Sequence, residues 1–156
     1  YAENGVMIAG WVFDPYKDQL WSARRGEGAW LNGRELKIED KGLEEGICAF
    51  GCARYNDGDG IFGILPTLFT RSLSIRNGGS AAIDLCRVAS GSNVAYIELL
   101  LQPYDYAAAS VIIEEAGGEI SQADGKPITL NHGCSIVAGT PKAVEEVKTI
   151  YAEKRG

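Results

Sequence analysis

The sequence predicts an α/β fold, a mixed sheet flanked by helices, preceded by a remnant of antiparallel strands, and three observations carry that expectation. From Arg34 onward, short apolar runs alternate with stretches whose apolar residues recur at helical spacing, the pattern of layered strands and helices. The helical stretches carry their own start and stop signals, such as Thr140-Pro141 and Gly117-Gly118. Residues 1–35 instead alternate strand-like runs with turn residues and show no helical period.

In order, Tyr1-Ala2-Glu3 reads as the end of a strand whose beginning lies further upstream. Asn4-Gly5 marks a tight hairpin turn, followed by a strand over Val6–Phe13. Asp14-Pro15-Tyr16-Lys17-Asp18 is a turn, Gln19–Ala23 the return strand, and Gly26, Gly28 and Gly33 punctuate a further hairpin. Strands are expected over Glu35–Ile38 and Ile47–Gly51. Asp57-Gly58-Asp59-Gly60 reads as a solvated loop, since the later ligands of a calcium loop are missing, and it leads into a helix over Ile61–Thr70 that contains Pro66. A strand over Ser72–Arg76 precedes a helix over Ala81–Ala89, with Ser80 as cap and Ser90-Gly91 as stop. The apolar strand over Asn93–Leu101 ends at Pro103, and Asp105 opens a helix with a small face, Ala107-Ala108-Ala109-Ser110, that lets another backbone approach. Glu119–Gln122 and Lys126–Leu130 form a hairpin around Asp124-Gly125, Ser135–Ala138 is a buried strand, and the last helix places Val144, Val147, Ile150 and Tyr151 on one face.

The chain has 156 residues, 46% of them hydrophobic, enough for one sizeable core or one core and part of another. A net charge of −6 leaves no basic footprint for nucleic acid. No apolar run approaches the ~18–20 residues of a membrane span, and the start has no leader pattern. Four cysteines with one histidine suggest reduced thiols and a cytoplasmic protein. Cys48 and Cys52 have the spacing to meet on a helix and His132 and Cys134 form a pair, but neither makes a zinc cluster, so packing or loop roles are expected.

Three places carry candidate chemistry. Asp105 sits where a helix begins, so it reads either as a cap or as an ionised carboxylate suited to a hard divalent cation. Glu98, seven residues earlier, reads by itself as an edge-strand charge, and Ser80 as a helix cap. Asp14-Pro15 reads as a turn.

Three segments resemble those of the inositol monophosphatase family. They are Tyr104-Asp105 with Ala107-Ala108-Ala109 and Glu115-Ala116-Gly117-Gly118; the run from Arg76-Asn77-Gly78-Gly79-Ser80-Ala81-Ala82 through Cys86, Val88, Ala89 and Gly91; and Ala23-Arg24-Arg25-Gly26-Glu27-Gly28-Ala29-Trp30-Leu31-Asn32-Gly33. The resemblance implies the two-part sugar-phosphatase fold, with residues 1–35 as the tail of an N-terminal α+β domain and 36–156 as the C-terminal α/β domain. It implies a magnesium-dependent phosphatase that hydrolyses a small phosphate monoester, with Asp105 as a metal ligand, Glu98 accepting from a substrate hydroxyl, and Gly79, Ser80 and Ala81 in contact with the substrate. The family's other metal ligands, an upstream glutamate and an Asp-Pro-x-Asp-Gly-Thr motif, are not found, because Asp14-Pro15 continues Tyr16-Lys17-Asp18-Gln19. The chain alone is therefore expected to be inactive. Pro103-Tyr104-Asp105, in place of Trp-Asp, is closer to the histidinol-phosphate phosphatase branch, and Gln102 stands where branches vary. Homodimers are common in the family. A non-catalytic sugar-phosphate-binding or subunit-pairing fragment is the alternative.

Overall fold

The computed structural model describes residues 1–52 and 58–155. Strands β1 (Ala2–Glu3) and β2 (Val6–Met7) form a hairpin whose turn residues Asn4 and Gly5 both have positive φ, 50° and 77°, as a tight two-residue turn requires. The continuous strand expected over Val6–Phe13 is broken at Ile8. The amides of Ile8 and Ala9 bond back to the Tyr1 carbonyl at 3.0 and 3.2 Å, so the chain leaves one partner there and takes up the next. Strands β3 (Ala9–Asp14), β4 (Gln19–Arg24), β5 (Ala29–Leu31) and β6 (Arg34–Leu36) then make an antiparallel meander. Asp14 Oδ1 accepts from the amides of Tyr16 and Lys17 at 3.0 and 3.3 Å, which spends that carboxylate on the turn.

Helix α1 (Gly58–Arg71) follows β7 (Ile47–Phe50) and a strand β8 (Ser74–Arg76) follows α1. Of the expected Asp57–Gly60 loop, Asp57 lies outside the described residues, and residues 58–60 are already helical. Cys48 is on β7 with Cys52 just beyond its end, so the pair does not share a helix, and all four cysteines are free. Next come α2 (Ala81–Ala89), β9 (Ala95–Leu101) and α3 (Pro103–Glu115). The last elements are β10 (Glu119–Ser121), β11 (Cys134–Gly139) and α4 (Pro141–Arg155). The expected hairpin after α3 does not form. β10 pairs with β11, and residues 126–130 run on without a ladder, where Pro127 has no donor to give one. They lie instead against α3, with the Tyr106 hydroxyl bonded to the Thr129 carbonyl and Ile128 and Leu130 on the core. Thr140 caps α4 as expected, Oγ1 accepting from Ala143 N at 3.1 Å.

The second sheet has the order β10-β11-β9-β7-β8; β7 is parallel to β8 and β9, and β11 is antiparallel to both its neighbours. Its strands alternate between two cores. Ala49, Tyr96, Leu101 and Ile136 face α2, α3 and the meander, while Cys48, Ala95, Ile97 and Val137 face α1 and α4. Four layers result: antiparallel sheet, helix pair α2 and α3, mixed sheet, helix pair α1 and α4. This is the α/β fold the sequence predicts.

The small face of α3 has the expected use. A Cβ on Gly10 of β3 would collide with the Ala108 backbone, so strand and helix touch main chain to main chain. Trp21, 1% exposed, donates from Nε1 to Ser90 Oγ at 2.7 Å and ties the meander to the end of α2.

Candidate active site

The parallel strands β8, β7 and β9 end on one edge of the mixed sheet, the side where open α/β sheets receive ligands. Helices α2 and α3 begin just after β8 and β9, so the unpaired amides and positive dipole ends of both point to that edge. A cleft of about 300 Å³ opens there, lined by Gly51, Cys52, Asn77, Gly79, Ser80, Ala81, Asp84, Tyr96, Glu98, Leu101 and Asp105. All five residues singled out from the sequence, Gly79, Ser80, Ala81, Glu98 and Asp105, line this one hollow. A roomier hollow of about 420 Å³ beside α4 has its acidic groups already engaged, Asp124 with Lys126 at 2.6 Å and Glu145 with Lys148 at 3.1 Å.

Asp105 is the third residue of α3 rather than its opener. Gln102 is the N-cap and Pro103 the first helical residue, a position that suits a ring with no N–H to donate. Gln102 N donates to Asp105 Oδ2 at 3.1 Å, and Asp105 N donates to the Gln102 carbonyl at 2.9 Å. This reciprocal pair fixes the carboxylate at the cleft wall.

Ser80 occupies the N-cap position of α2 but its hydroxyl makes no capping bond, contrary to the cap reading. Its carbonyl accepts from Asp84 N at 2.9 Å, and its exposed side chain is left to the cleft. The loop before it is held by Asp84, 3% exposed, whose carboxylate accepts from Gly78 N at 3.1 Å and from Arg87 at 2.8 Å. Burial pushes the Asp84 carboxyl above its ordinary range, and Arg87 pulls it back down.

Glu98 is buried on β9, not displayed on an edge. Tyr96, two residues earlier and so on the same face, donates its hydroxyl to Glu98 Oε2 at 2.5 Å. Burial raises the Glu98 carboxyl, the Tyr96 bond lowers it, and the Asp105 and Asp84 charges raise it further. Among the described residues, no group of three or more His, Cys, Asp or Glu is placed to hold a metal ion.

Sequence reasoning missed Tyr96 and Asp84. Tyr96 had a signal, the two-residue period that sets it beside Glu98, and so did Asp84, a carboxylate inside an apolar helix just after the Gly-Gly loop. Gly51 had none, because its role depends on Tyr96 and Glu98, which are distant in sequence.

The class these features define is a layered α/β protein with a polar cleft at the carboxyl ends of its parallel strands. The model of the inositol monophosphatase family matches residues 1–154, and the chain belongs to that family. It is 35% identical over 153 residues to the inositol-1-monophosphatase of Bacillus subtilis strain 168, covering 97% of this chain and 57% of that protein. It is 36% identical over 139 residues to Nus factor SuhB of Escherichia coli K12, covering 86% of this chain and 51% of the relative. The crystal structure of inositol monophosphatase II from Staphylococcus aureus MSSA476 superposes with a TM-score of 0.88 at 32% identity, over 97% of this chain and 57% of that one. The chain thus spans somewhat over half the length of the relatives it matches. Among the described residues no helix is long and apolar enough to cross a membrane.

Proposed function

We propose that the complete protein is a magnesium-dependent phosphatase that hydrolyses a small phosphate monoester, inositol monophosphate or a similar polyol or amino-alcohol phosphate such as histidinol phosphate. The observation that carries this reading is the convergence of Gly79, Ser80, Ala81, Glu98 and Asp105 on one cleft. Glu98 would accept from a substrate hydroxyl or amine, and the start of α2 with Ser80 would contact the remainder of the substrate.

Asp105 fits one place in a magnesium shell, since one of its oxygens is spent on Gln102 and the other is left for a ligand. A single monodentate carboxylate leaves the cation mostly hydrated, so the described residues do not by themselves make the site. The remaining ligands would come from a part of the protein outside this chain, and the chain alone should turn over nothing measurable. In this reading residues 1–35 are the tail of an N-terminal domain and 36–156 form the C-terminal one. The free cysteines suit a reducing cytoplasm, and a homo-oligomer is expected.

The test is phosphate release by the complete protein from inositol monophosphate and histidinol phosphate, with and without magnesium. Magnesium-dependent turnover that Asp105→Asn abolishes without unfolding the protein supports the reading. Magnesium-independent turnover, or full activity in the variant, refutes it. A second reading, a non-catalytic sugar-phosphate-binding or subunit-pairing role, is favoured by the relative named Nus factor rather than phosphatase. Binding of inositol monophosphate with no turnover of any monoester would select it.

A further inference from the structure

Glu98 can orient a ligand only if its carboxylate keeps one position, and two neighbours restrict it. Tyr96 is buried to 1% exposure on the same face of β9, and its hydroxyl donates to Oε2 at 2.5 Å. Gly51, just past the end of β7, donates its N–H to the Ile97 carbonyl at 2.9 Å, which lays its backbone against that pair. A Cβ on Gly51 would overlap Glu98 Oε2 and the Tyr96 hydroxyl together. Gly51 does not have a positive φ, so space rather than conformation accounts for glycine there. Among the described residues no other donor reaches the Glu98 carboxylate, which leaves Oε1 for a ligand.

We propose that Tyr96 is a positioning residue for substrate recognition: its hydroxyl locks Glu98 within the space that Gly51 leaves empty, so that Oε1 meets a hydroxyl or amine donor on the substrate. The proposal rests on the reading of the cleft as a substrate site. Burial pushes the Tyr96 phenol far above its ordinary range, so it stays a donor, and its bond to Glu98 favours the charged acceptor.

The experiment uses the complete protein and two monoesters, inositol monophosphate, which carries free hydroxyls, and phenyl phosphate, which has neither hydroxyl nor amine. In Tyr96→Phe the ratio of kcat/KM between the two should fall about tenfold, the scale of one hydrogen bond to a charged group, with the change in KM for inositol monophosphate. Gly51→Ala, which displaces the same pair by another route, should shift the ratio in the same direction. Equal losses on both substrates in both variants, as a merely structural role would give, overturn the proposal, as does an unchanged ratio. Turnover of neither monoester by the unaltered protein would refute the phosphatase reading, and calorimetry with inositol monophosphate then decides the Tyr96 assignment. Weaker binding by Tyr96→Phe supports it; equal binding, or none to either form, overturns it.

Discussion

Replacing Glu115 by alanine should cost about 2–3 kcal/mol of stability, although the residue ends a helix at the surface. Its two carboxylate oxygens accept from two amides of the glycine hairpin, Oε1 from Gly26 N and Oε2 from Gly28 N, both at 2.9 Å. A hydrogen bond to a charged group contributes roughly 1.5–3 kcal/mol, and the exposure of the Gly26 bond puts this pair near the low end. The adjacent Arg25–Glu114 pair, at 2.9 Å and about half exposed, holds the same hairpin but contributes at most about 1 kcal/mol, so it softens the loss without replacing it. Glu115→Gln keeps one acceptor oxygen and should lose about half as much. Urea unfolding of both variants, compared by midpoint at constant slope, reads the difference. A loss below about 0.5 kcal/mol for alanine, or glutamine as costly as alanine, would refute the reasoning.

Two further outcomes follow from the core and the cleft. Trp21→Phe should lower stability by about 1–2 kcal/mol through the lost bond to Ser90, and Ser90→Ala should add little to it, because the two share one interaction; thermal unfolding of the double-mutant cycle checks this, and additive losses would count against the bond. Burial raises the Glu98 and Asp84 carboxyls, so the folded state holds those protons to higher pH than the unfolded chain, and stability should fall as pH rises from the ordinary carboxylate range through the raised values. Glu98→Gln should remove part of that fall and gain on the unaltered protein as pH rises above the ordinary carboxylate range; parallel stability curves would show that the buried charge carries no such cost.

Local signals made the elements legible, and most of the site with them. Thr140-Pro141, Gly117-Gly118 and the spacing of Val144, Val147 and Ile150 depend on neighbours a few residues away, and the helices they announce are present. The errors occur where a distant partner decides. Residues 126–130 look like a strand by turn chemistry, but Pro127 has no amide to give a ladder, and Tyr106 draws the segment onto α3. Ile8 breaks an apparently continuous strand because the pairing partner changes there. Ser80 stands at the N-cap as its sequence context suggests, and only the structure shows that its hydroxyl makes no capping bond. Glu115 and the glycine hairpin are legible as separate motifs, while the contact that joins them, across 87 and 89 residues, is not.

The loop Gly78-Gly79-Ser80-Ala81 shows how one short motif can combine four separate physical requirements. At Gly78 a Cβ would overlap the Asp84 carboxylate, which has to sit there to accept the loop's own amide. Gly79 has open space where a side chain would go but a φ of +79°, so conformation rather than room selects it. Ser80 ends the extended segment with its hydroxyl unspent, and Ala81 begins the helix with a side chain too small to close the cleft. The arrangement around Asp84 and Gly78 repeats that around Glu98 and Gly51, a buried carboxylate seated in the space a glycine leaves. In both cases burial raises the carboxyl and costs stability when it ionises, while a donor, Arg87 or Tyr96, opposes the shift. Packing alone would be served better by an apolar side chain at either place. The two sites differ in what they leave free: both Asp84 oxygens are taken, by Gly78 N and Arg87, which fixes the loop at the cleft, whereas Tyr96 engages only Oε2 of Glu98.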